Sequence, residues 1–298
     1  MIFVSALRGD DTNPGTLASP VRQIARAVTL ATPGDTVLVL DGGDYAPFSV
    51  GKSLSVVAEG AHAQVSAPSA PFGNRALSVN AGPADVVVLH GLALRGSGAT
   101  VGISFGSGKM LRVERCSISN FVSTADGHPG YGIEALAAGV LTVADTVLRD
   151  NSTGIRFQGG VEIRGEIRNC QIEGSGRITA TDGADSNASG VEVGTSHRVN
   201  VAGSRITGYG LGFYVRGNAG SPLAALTITG STITNNRIGV YADRTGQVHL
   251  VGSTVSLNEH GLFTLNNGII YTAGNNAILG NFTNNIGAGT VFFASDLT

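Results

Sequence analysis

Short apolar runs separated by Gly, Asn and Asp fill the chain from Thr36 onward. Within them one pattern recurs: a glycine, an apolar residue, any residue, then an apolar or small residue. Its copies begin at Gly102, Gly132, Gly154, Gly190, Gly212, Gly239 and Gly261. Alternation with a period of two is typical of a half-buried β-strand. The pattern therefore predicts a repeated strand whose second residue points inward and whose third residue points outward.

A second motif lies between successive copies of the first. It consists of Cys, Ser, Thr or Asn, then any residue, then an aliphatic residue, as in Cys116-Ser117-Ile118. Each repeat thus holds at least two strands, and the shortest repeat, from Gly132 to Gly154, is 22 residues long. One such coil cannot bury its apolar face alone, but stacked coils share a continuous interior. The predicted fold class is therefore all-β, a β-solenoid of coils of about 22 residues.

One helix is predicted before the coils, at about residues 19–31. Ser19 suits its cap, Pro20 its first position, and Pro33-Gly34 its end. We expect this helix to cover the open first coil. The chain then reads as one elongated domain, with an N-terminal cap at 1–35, coils at 36–285 and an end segment at 286–298.

Composition and charge limit the kinds of molecule that this protein is expected to bind. Glycine makes up 44 of 298 residues and charged residues only 13%, which fits many short turns around an aliphatic interior. The net charge of -2, with Lys and Arg scattered singly, predicts neither nucleic acid nor a membrane as partner. Met1 leads directly into Phe3 without a basic and apolar leader. We therefore expect either a cytoplasmic protein or a secreted or periplasmic one whose signal peptide has been removed.

The two cysteines occupy equivalent positions of the second motif, two coils apart. Strand spacing places Cys116 and Cys170 about 10 Å from each other, which is too far for a disulfide. They are predicted to be small interior residues with free thiols.

The N-terminal segment carries a resemblance to a known group of proteins. Gly9-Asp10-Asp11, Asn13-Pro14-Gly15-Thr16 and Pro33-Gly34-Asp35-Thr36 resemble the corresponding segment of bacterial right-handed parallel β-helix repeat proteins of the pectate-lyase-like superfamily. The coils resemble the same group along essentially the whole chain. The resemblance implies a right-handed parallel β-helix, and it is compatible with lyases, epimerases, hydrolases and members without an assigned reaction.

Outward positions of the first motif form the candidate site. Stacked coils place these outward residues in one column, which consists of Ser104, Glu134, Arg156, Glu192, Tyr214, Tyr241 and Phe263. A second column beside it holds Gln158, Arg216 and Asp243. Tyrosine faces suit pyranose rings, and arginine suits the carboxylate of a uronate. An alternative stays open, because Glu134, Arg156 and Glu192 alternate in charge and would also form a surface ion-pair ladder.

Two insertions leave the same turn on either side of this column. The first, before Gly132, carries Asp126, His128 and Tyr131, and the second, before Gly190, carries Arg177, Asp182 and Asp185. Long loops on a minimal repeat are typical of binding or catalysis, although simple drift in the length of a surface turn is the alternative.

We therefore expect a protein that binds or acts on an acidic polysaccharide or oligosaccharide, as a lyase or C5-epimerase if it is an enzyme. The alternative is a non-catalytic glycan-binding or structural β-helix. The predicted catalytic residues are His128, Arg156, Tyr131 and Tyr214, and the predicted substrate-binding residues are Glu134, Glu192, Arg216, Tyr241 and Asp243. No motif indicates a cofactor. A calcium site would require several carboxylates to converge on one face.

Overall fold

Three parallel sheets make up almost the whole structure. The computed structural model of the chain describes residues 1–60, 62–68, 75–123, 129–175, 188–287 and 289–293. Its strands are numbered β1 to β32 along the chain, and every pairing between them is parallel. Each coil contributes one strand to each sheet, so the coil has three strands, consistent with the prediction of at least two.

Sheet A begins at the N-terminal end and runs the full length of the stack. Its strands are β1 Ile2–Val4, β2 Thr36–Val39, β5 Leu54–Val57, β8 Val86–His90, β11 Met110–Glu114, β14 Gly139–Ala144, β17 Ile163–Arg168, β20 Arg198–Ala202, β23 Ala225–Thr229, β26 Gln247–Val251, β29 Ile269–Thr272 and β32 Thr290–Phe293.

Sheet B follows sheet A after a sharp corner in each coil. Its strands are β3 Gly43–Tyr45, β6 Ala63–Pro68, β9 Ala93–Ser97, β12 Ser117–Ser119, β15 Val147–Arg149, β18 Gln171–Glu173, β21 Arg205–Thr207, β24 Thr232–Thr234, β27 Thr254–Ser256 and β30 Ala277–Leu279.

Sheet C closes each coil and carries the first sequence motif. Its strands are β4 Phe48–Val50, β7 Arg75–Asn80, β10 Val101–Ser107, β13 Tyr131–Ala135, β16 Thr153–Phe157, β19 Ser189–Val193, β22 Leu211–Arg216, β25 Ile238–Asp243, β28 His260–Leu265 and β31 Thr283–Gly287.

The interior is a stack of aliphatic side chains in register. Ile133 pairs with Ile155 and Ile155 with Val191, and all three have no exposed surface. The same column continues through Phe213, Val240 and Leu262, which are also fully buried. The inward positions predicted from the glycine motif are thus confirmed.

Corners between the sheets are sharpened by single residues in the left-handed conformation. At the corner from sheet A to sheet B these residues include Arg115, Asp145 and Asn169, with φ of 51°, 50° and 53°. At the corner from sheet B to sheet C they include Asp150 and Asn235, both with φ of 54°. Each such residue turns the chain at once, which keeps the short coils compact.

Side chains that follow these left-handed residues bond to the neighbouring coil. The Asn258 Oδ1 accepts the backbone N–H of Asn236 at 2.9 Å, and the Asn281 Oδ1 accepts that of Asn258 at 3.0 Å. Asparagine side chains thus stack from coil to coil at this corner. The residues before Asn236 and Asn258, which are Asn235 and Leu257, take the left-handed conformation, and the asparagine side chains are left free to bond.

The two cysteines lie in an equivalent ladder at the other corner. The backbone N–H of Cys116 donates to Thr146 Oγ1 at 3.2 Å, and that of Cys170 to Ser204 Oγ at 3.1 Å. Both cysteines are buried with free thiols, as predicted. Burial raises the pKa of the Cys116 thiol to about 12 and that of Cys170 to about 11, so both thiols stay protonated at neutral pH.

The helix is shorter than the sequence predicts. Helix α1 spans Ile24–Leu30, with Gln23 at its N-cap and no side-chain hydrogen bond there. Val21 instead forms a bridge with Val4 of sheet A, which keeps residues before Ile24 out of the helix. Asp11 Oδ1 accepts the backbone N–H groups of Arg22 and Gln23, both at 2.9 Å, so a distant residue serves the helix start that Ser19 was expected to cap. Helix α1 packs on β1, β2 and β4 at the N-terminal end of the stack.

A substitution inside the stack should be far more damaging than one on its surface. Ile155→Asp places an unpaired charge in the interior, and we expect it to lower the free energy of unfolding by about 3–5 kcal/mol. Ile155→Val keeps the position apolar and should lower the free energy of unfolding by about 1 kcal/mol. Arg156→Ala, at the next residue, should lower it by a similarly small amount. Urea denaturation monitored by circular dichroism measures all three, and equal losses for Ile155→Asp and Arg156→Ala would contradict the inside and outside assignments.

Candidate functional site

The outward column on sheet C is arranged as the sequence predicts. Ser104 pairs with Glu134, Glu134 with Arg156, Arg156 with Glu192, and Glu192 with Tyr214, in register on successive strands. Tyr241 and Phe263 continue the column. Because the alternate residues of each strand are locked into the interior, these side chains are held on one face about 4.8 Å apart.

Arg156 is the centre of this column. Its Nε lies 3.4 Å from Glu192 Oε2, its Nη1 donates to the Tyr131 hydroxyl, and its guanidinium carbon lies 4.9 Å from the centre of the Tyr131 ring. The Nε is buried and has no hydrogen-bond partner among the described residues, since its contact with Glu192 is an ion pair without hydrogen-bond geometry. The guanidinium is therefore fixed in place while part of its donor capacity stays free.

Glu134, on the other side of Arg156, is a buried carboxyl without a partner. It is only 9% exposed and forms no hydrogen bond or ion pair within the described part of the chain. Burial raises its pKa, and the charges of Arg75 and Arg156 only partly oppose that effect. The alternating charges thus do not form a continuous ion-pair ladder, since the described residues pair Arg156 with Glu192 alone.

Glu192 has a similar electrostatic environment. Burial raises the pKa of its carboxyl group, against the opposing charges of Arg156 and Arg216. A carboxylate with a raised pKa is a better base than an ordinary exposed one. Glu134 and Glu192 therefore give this face two carboxyl groups able to exchange protons nearer to neutral pH.

The tyrosines of the column form a contiguous aromatic strip. Tyr214 and Tyr241 stack with ring centres 5.0 Å apart, and Tyr241 meets Phe263 edge to face at 5.0 Å. Burial raises the pKa of Tyr214 to about 12 and also raises those of Tyr131 and Tyr241. These phenols keep their protons at neutral pH, so they can donate protons or hydrogen bonds but cannot act as bases.

Asp243 differs from its predicted role as a direct substrate contact. It is only 6% exposed, and its Oδ1 accepts a hydrogen bond from Asn266 at 3.0 Å. Its Oδ2 lies 3.5 Å from the Tyr214 hydroxyl and 3.8 Å from Arg244 Nε. The carboxylate therefore lies beneath the surface, where it orients Tyr214 and Arg244.

Two clefts meet at Arg156, Glu192 and Arg216. The first cleft, of about 260 Å³, lies toward the start of the sheet C strands and is also lined by Tyr131, Thr153 and Tyr214. The second cleft, of about 320 Å³, lies beyond the strand ends and is also lined by Gln158, Gly194, Thr195, His197, Asn218 and Arg244. Arg156, Glu192 and Arg216 line both clefts, and the two clefts together are called the groove below.

The described parts of the two insertions border the first cleft. Ser123, Pro129 and Gly130 of the first insertion and Ala188 of the second line it. His128, Asp126, Arg177, Asp182 and Asp185 lie outside the described residues. In the described ranges no three His, Cys, Asp or Glu side chains come together in a way that would hold a metal ion. No helix in these ranges is long and apolar enough to cross a membrane.

His197 and Arg244 are groove residues that sequence reasoning missed. Arg244 follows the motif strand and has no repeat-level signal. His197 does have such a signal. It occupies the same repeat position as Ile163 in the preceding coil and Ala224 in the following coil, and both of those residues are fully buried. A polar residue at an interior position was the available indication.

Comparisons with known proteins agree with this architecture. Residues 178–297 match the family model for a right handed beta helix region. The structure of XylC in complex with xylose aligns over 93% of this chain and 69% of its own, with a TM-score of 0.59 and 12% identity. The fold is a right-handed parallel β-helix.

A rhamnogalacturonan lyase has the same β-helix. It aligns over 91% of this chain and 75% of its own, with a TM-score of 0.51 and 15% identity. No curated protein sequence matches the chain. At these identities the likeness establishes the β-helix fold and leaves the activity to be argued from the groove itself.

The raised pKa of Glu134 predicts a pH dependence of stability. Because the folded β-helix binds this proton more tightly than the unfolded chain, the free energy of unfolding should fall as the pH rises from the ordinary value of 4.5 through the raised one. Glu134→Gln removes this titration. The free energy of unfolding of the variant, relative to that of the wild type, should therefore increase as the pH rises over this range. Urea denaturation at a series of pH values measures the difference, with Glu166→Gln on the exposed face of sheet A as the control. Parallel curves for the wild type and Glu134→Gln would contradict the prediction.

Proposed function

We propose that the protein binds an acidic polysaccharide in the groove of sheet C and acts on it at Arg156. The observation that carries this proposal is the state of the Arg156 guanidinium, which is oriented by Tyr131 and Glu192 and yet keeps a buried donor without a hydrogen-bond partner. Such a fixed and incompletely bonded guanidinium is suited to receive the carboxylate of a uronate.

The rest of the groove supports a carbohydrate ligand. Tyr131 and Tyr214 line the first cleft and offer aromatic surface and hydroxyl donors, the combination that sugar rings require. Arg216 lines both clefts and has no hydrogen-bond or ion-pair partner among the described residues. The similarity of fold to a rhamnogalacturonan lyase and to XylC bound to xylose is compatible with this proposal.

The chemistry that suits these groups best is β-elimination. Arg156 would neutralise the uronate carboxylate, which makes the adjacent C5 proton more acidic. Glu192 would accept that proton as the C5–H bond breaks, the double bond between C4 and C5 would form, and Tyr214 would donate its proton to the departing O4. Return of a proton to the opposite face of C5, without loss of O4, would give epimerisation instead.

Binding is tested by removing the guanidinium at the centre of the groove. Arg156→Ala is expected to weaken binding of an acidic oligosaccharide such as trigalacturonate roughly tenfold or more, because it removes a charge-assisted hydrogen bond. Its stability should change by less than about 1 kcal/mol. Isothermal titration calorimetry and thermal melts of the same variant measure both quantities.

The matched control is Arg149→Ala. Arg149 also forms an ion pair, with Nε 2.9 Å from Glu173 Oε2, but on sheet B outside the groove. It should leave affinity unchanged. If Arg156→Ala also leaves affinity unchanged and only lowers stability, the Arg156–Glu192 pair is an ordinary surface ion pair and the groove proposal fails at this position.

Turnover is tested separately through the proposed proton donor. Alginate, pectate, glycosaminoglycans and bacterial exopolysaccharides, each with and without calcium, are screened for new ultraviolet absorbance from an unsaturated uronate. On the substrate found, Tyr214→Phe should lower kcat about 100-fold or more while KM changes little, because the ring remains and only the donated proton is lost. Phe263→Leu, at the far end of the aromatic strip, is the control and should keep most of the activity. Binding without any product would favour the non-catalytic alternative.

A further inference from the structure

The second cleft contains a buried histidine with an unused donor. His197 has no exposed surface, and its Nδ1 accepts the backbone N–H of Ile163 at 3.2 Å. In the neutral ring the proton therefore lies on Nε2, and burial lowers the pKa of His197, which favours the neutral ring. Nε2 has no hydrogen-bond partner among the described residues. A buried donor left unpaired is costly, so a group that enters the cleft is its natural acceptor.

A glycine lies beside this ring in the lining of the second cleft. Gly194 lines the cleft together with His197, and a β-carbon placed on Gly194 would lie 3.1 Å from Phe157 O, 3.7 Å from His197 Cδ2 and 3.9 Å from Nε2. The φ of Gly194 is not in the left-handed region, so the backbone conformation does not require glycine there. Its effect is spatial, because a larger residue would occupy space next to Nε2.

The charged residues that line the second cleft favour an anion. Arg156, Arg216 and Arg244 line the cleft, and Glu192 is the one carboxylate among its lining residues in the described part of the chain. Arg244 is already engaged, with Nη1 2.7 Å from Asn218 Oδ1. Arg216 has no such partner in the described ranges, which leaves it as the cation free to bind a ligand.

We propose that the second cleft is an oxyanion subsite in which His197 Nε2–H and the Arg216 guanidinium bind one carboxylate or sulfate. This inference extends the proposed function, because Arg156 is held toward Tyr131 at the first cleft whereas His197 lies beyond the strand ends. The anion at Arg156 and the anion at His197 would thus belong to different sugar units of one glycan. The ligand is then a polyanionic glycan, with a charged group on more than one sugar.

The test follows the imidazole itself in the full-length protein. Two-bond proton–nitrogen correlation spectra of histidine-labelled protein report which ring nitrogen carries the proton, and His197 should show the Nε2–H form at neutral pH. Three probes are titrated: inorganic sulfate, trigalacturonate, and trigalacturonate with its carboxyl groups methyl-esterified. His197→Phe assigns the resonance.

The expected result is a saturable shift of the His197 Nε2 signal with trigalacturonate and none with the ester. Arg216→Ala should weaken that binding roughly tenfold, because it removes a charge-assisted hydrogen bond. Arg205→Ala is the matched control, since Arg205 lies in the same coil and is exposed on sheet B. It should leave the binding unchanged.

The probes separate this inference from the proposed function. A shift with sulfate but not with trigalacturonate supports the subsite, assigns it to a sulfated ligand, and contradicts uronate binding in the second cleft. Uronate binding that is lost in Arg156→Ala, with no shift of His197 by either anion at millimolar concentration, overturns the subsite and leaves the proposed function standing. A His197 shift that saturates at the same trigalacturonate concentration in Arg216→Ala as in the wild type overturns the pairing of His197 with Arg216.

Discussion

Parallel pairing of each coil with the next is the constraint on which the rest of the structure depends. Among the described residues each strand pairs with strands of neighbouring coils and not with a strand of its own coil. Register is therefore set coil by coil. The aliphatic column through Ile133, Ile155 and Val191 fixes it, because a slip by one residue would turn every interior side chain outward.

The corner ladders strengthen the same constraint where the strands end. A left-handed residue such as Asn235 or Asn169 turns the chain without a long loop, and the backbone N–H group that follows it needs an acceptor. Asn258 and Ser204 supply them from the neighbouring coil. Hydrogen bonding thus continues around the corner, which explains why coils as short as 22 residues suffice.

Much of this arrangement could be predicted from the sequence, because a repeat reports its own register. The glycine motif was enough to place Ile155 inside and Arg156 outside, and to align Glu134, Arg156 and Glu192. What escaped prediction depends on contacts between distant segments. The start of helix α1 is determined by Asp11 and by the bridge between Val4 and Val21, which no local capping signal reveals.

In the candidate site, too, the repeat pattern could be predicted while the contacts between side chains could not. Its column followed from periodicity, but the partners within it did not. Alternating charges gave no reason to expect that Arg156 would contact Tyr131 and Glu192 while Glu134 stays unpaired. His197 was missed because its position reads as interior. Its significance comes from an unbonded nitrogen close to Gly194, a property of the folded chain only.

The separation of inward from outward positions has an evolutionary consequence. The aliphatic residues that hold a coil in the stack are different residues from those that face the groove, although they alternate along the same strand. A mutation at Glu134, Arg156, Glu192 or Tyr214 therefore changes one position of the outward column, at intervals of about 4.8 Å, with little cost to folding. Such a scaffold can acquire a new ligand preference one residue at a time, with each intermediate still folded.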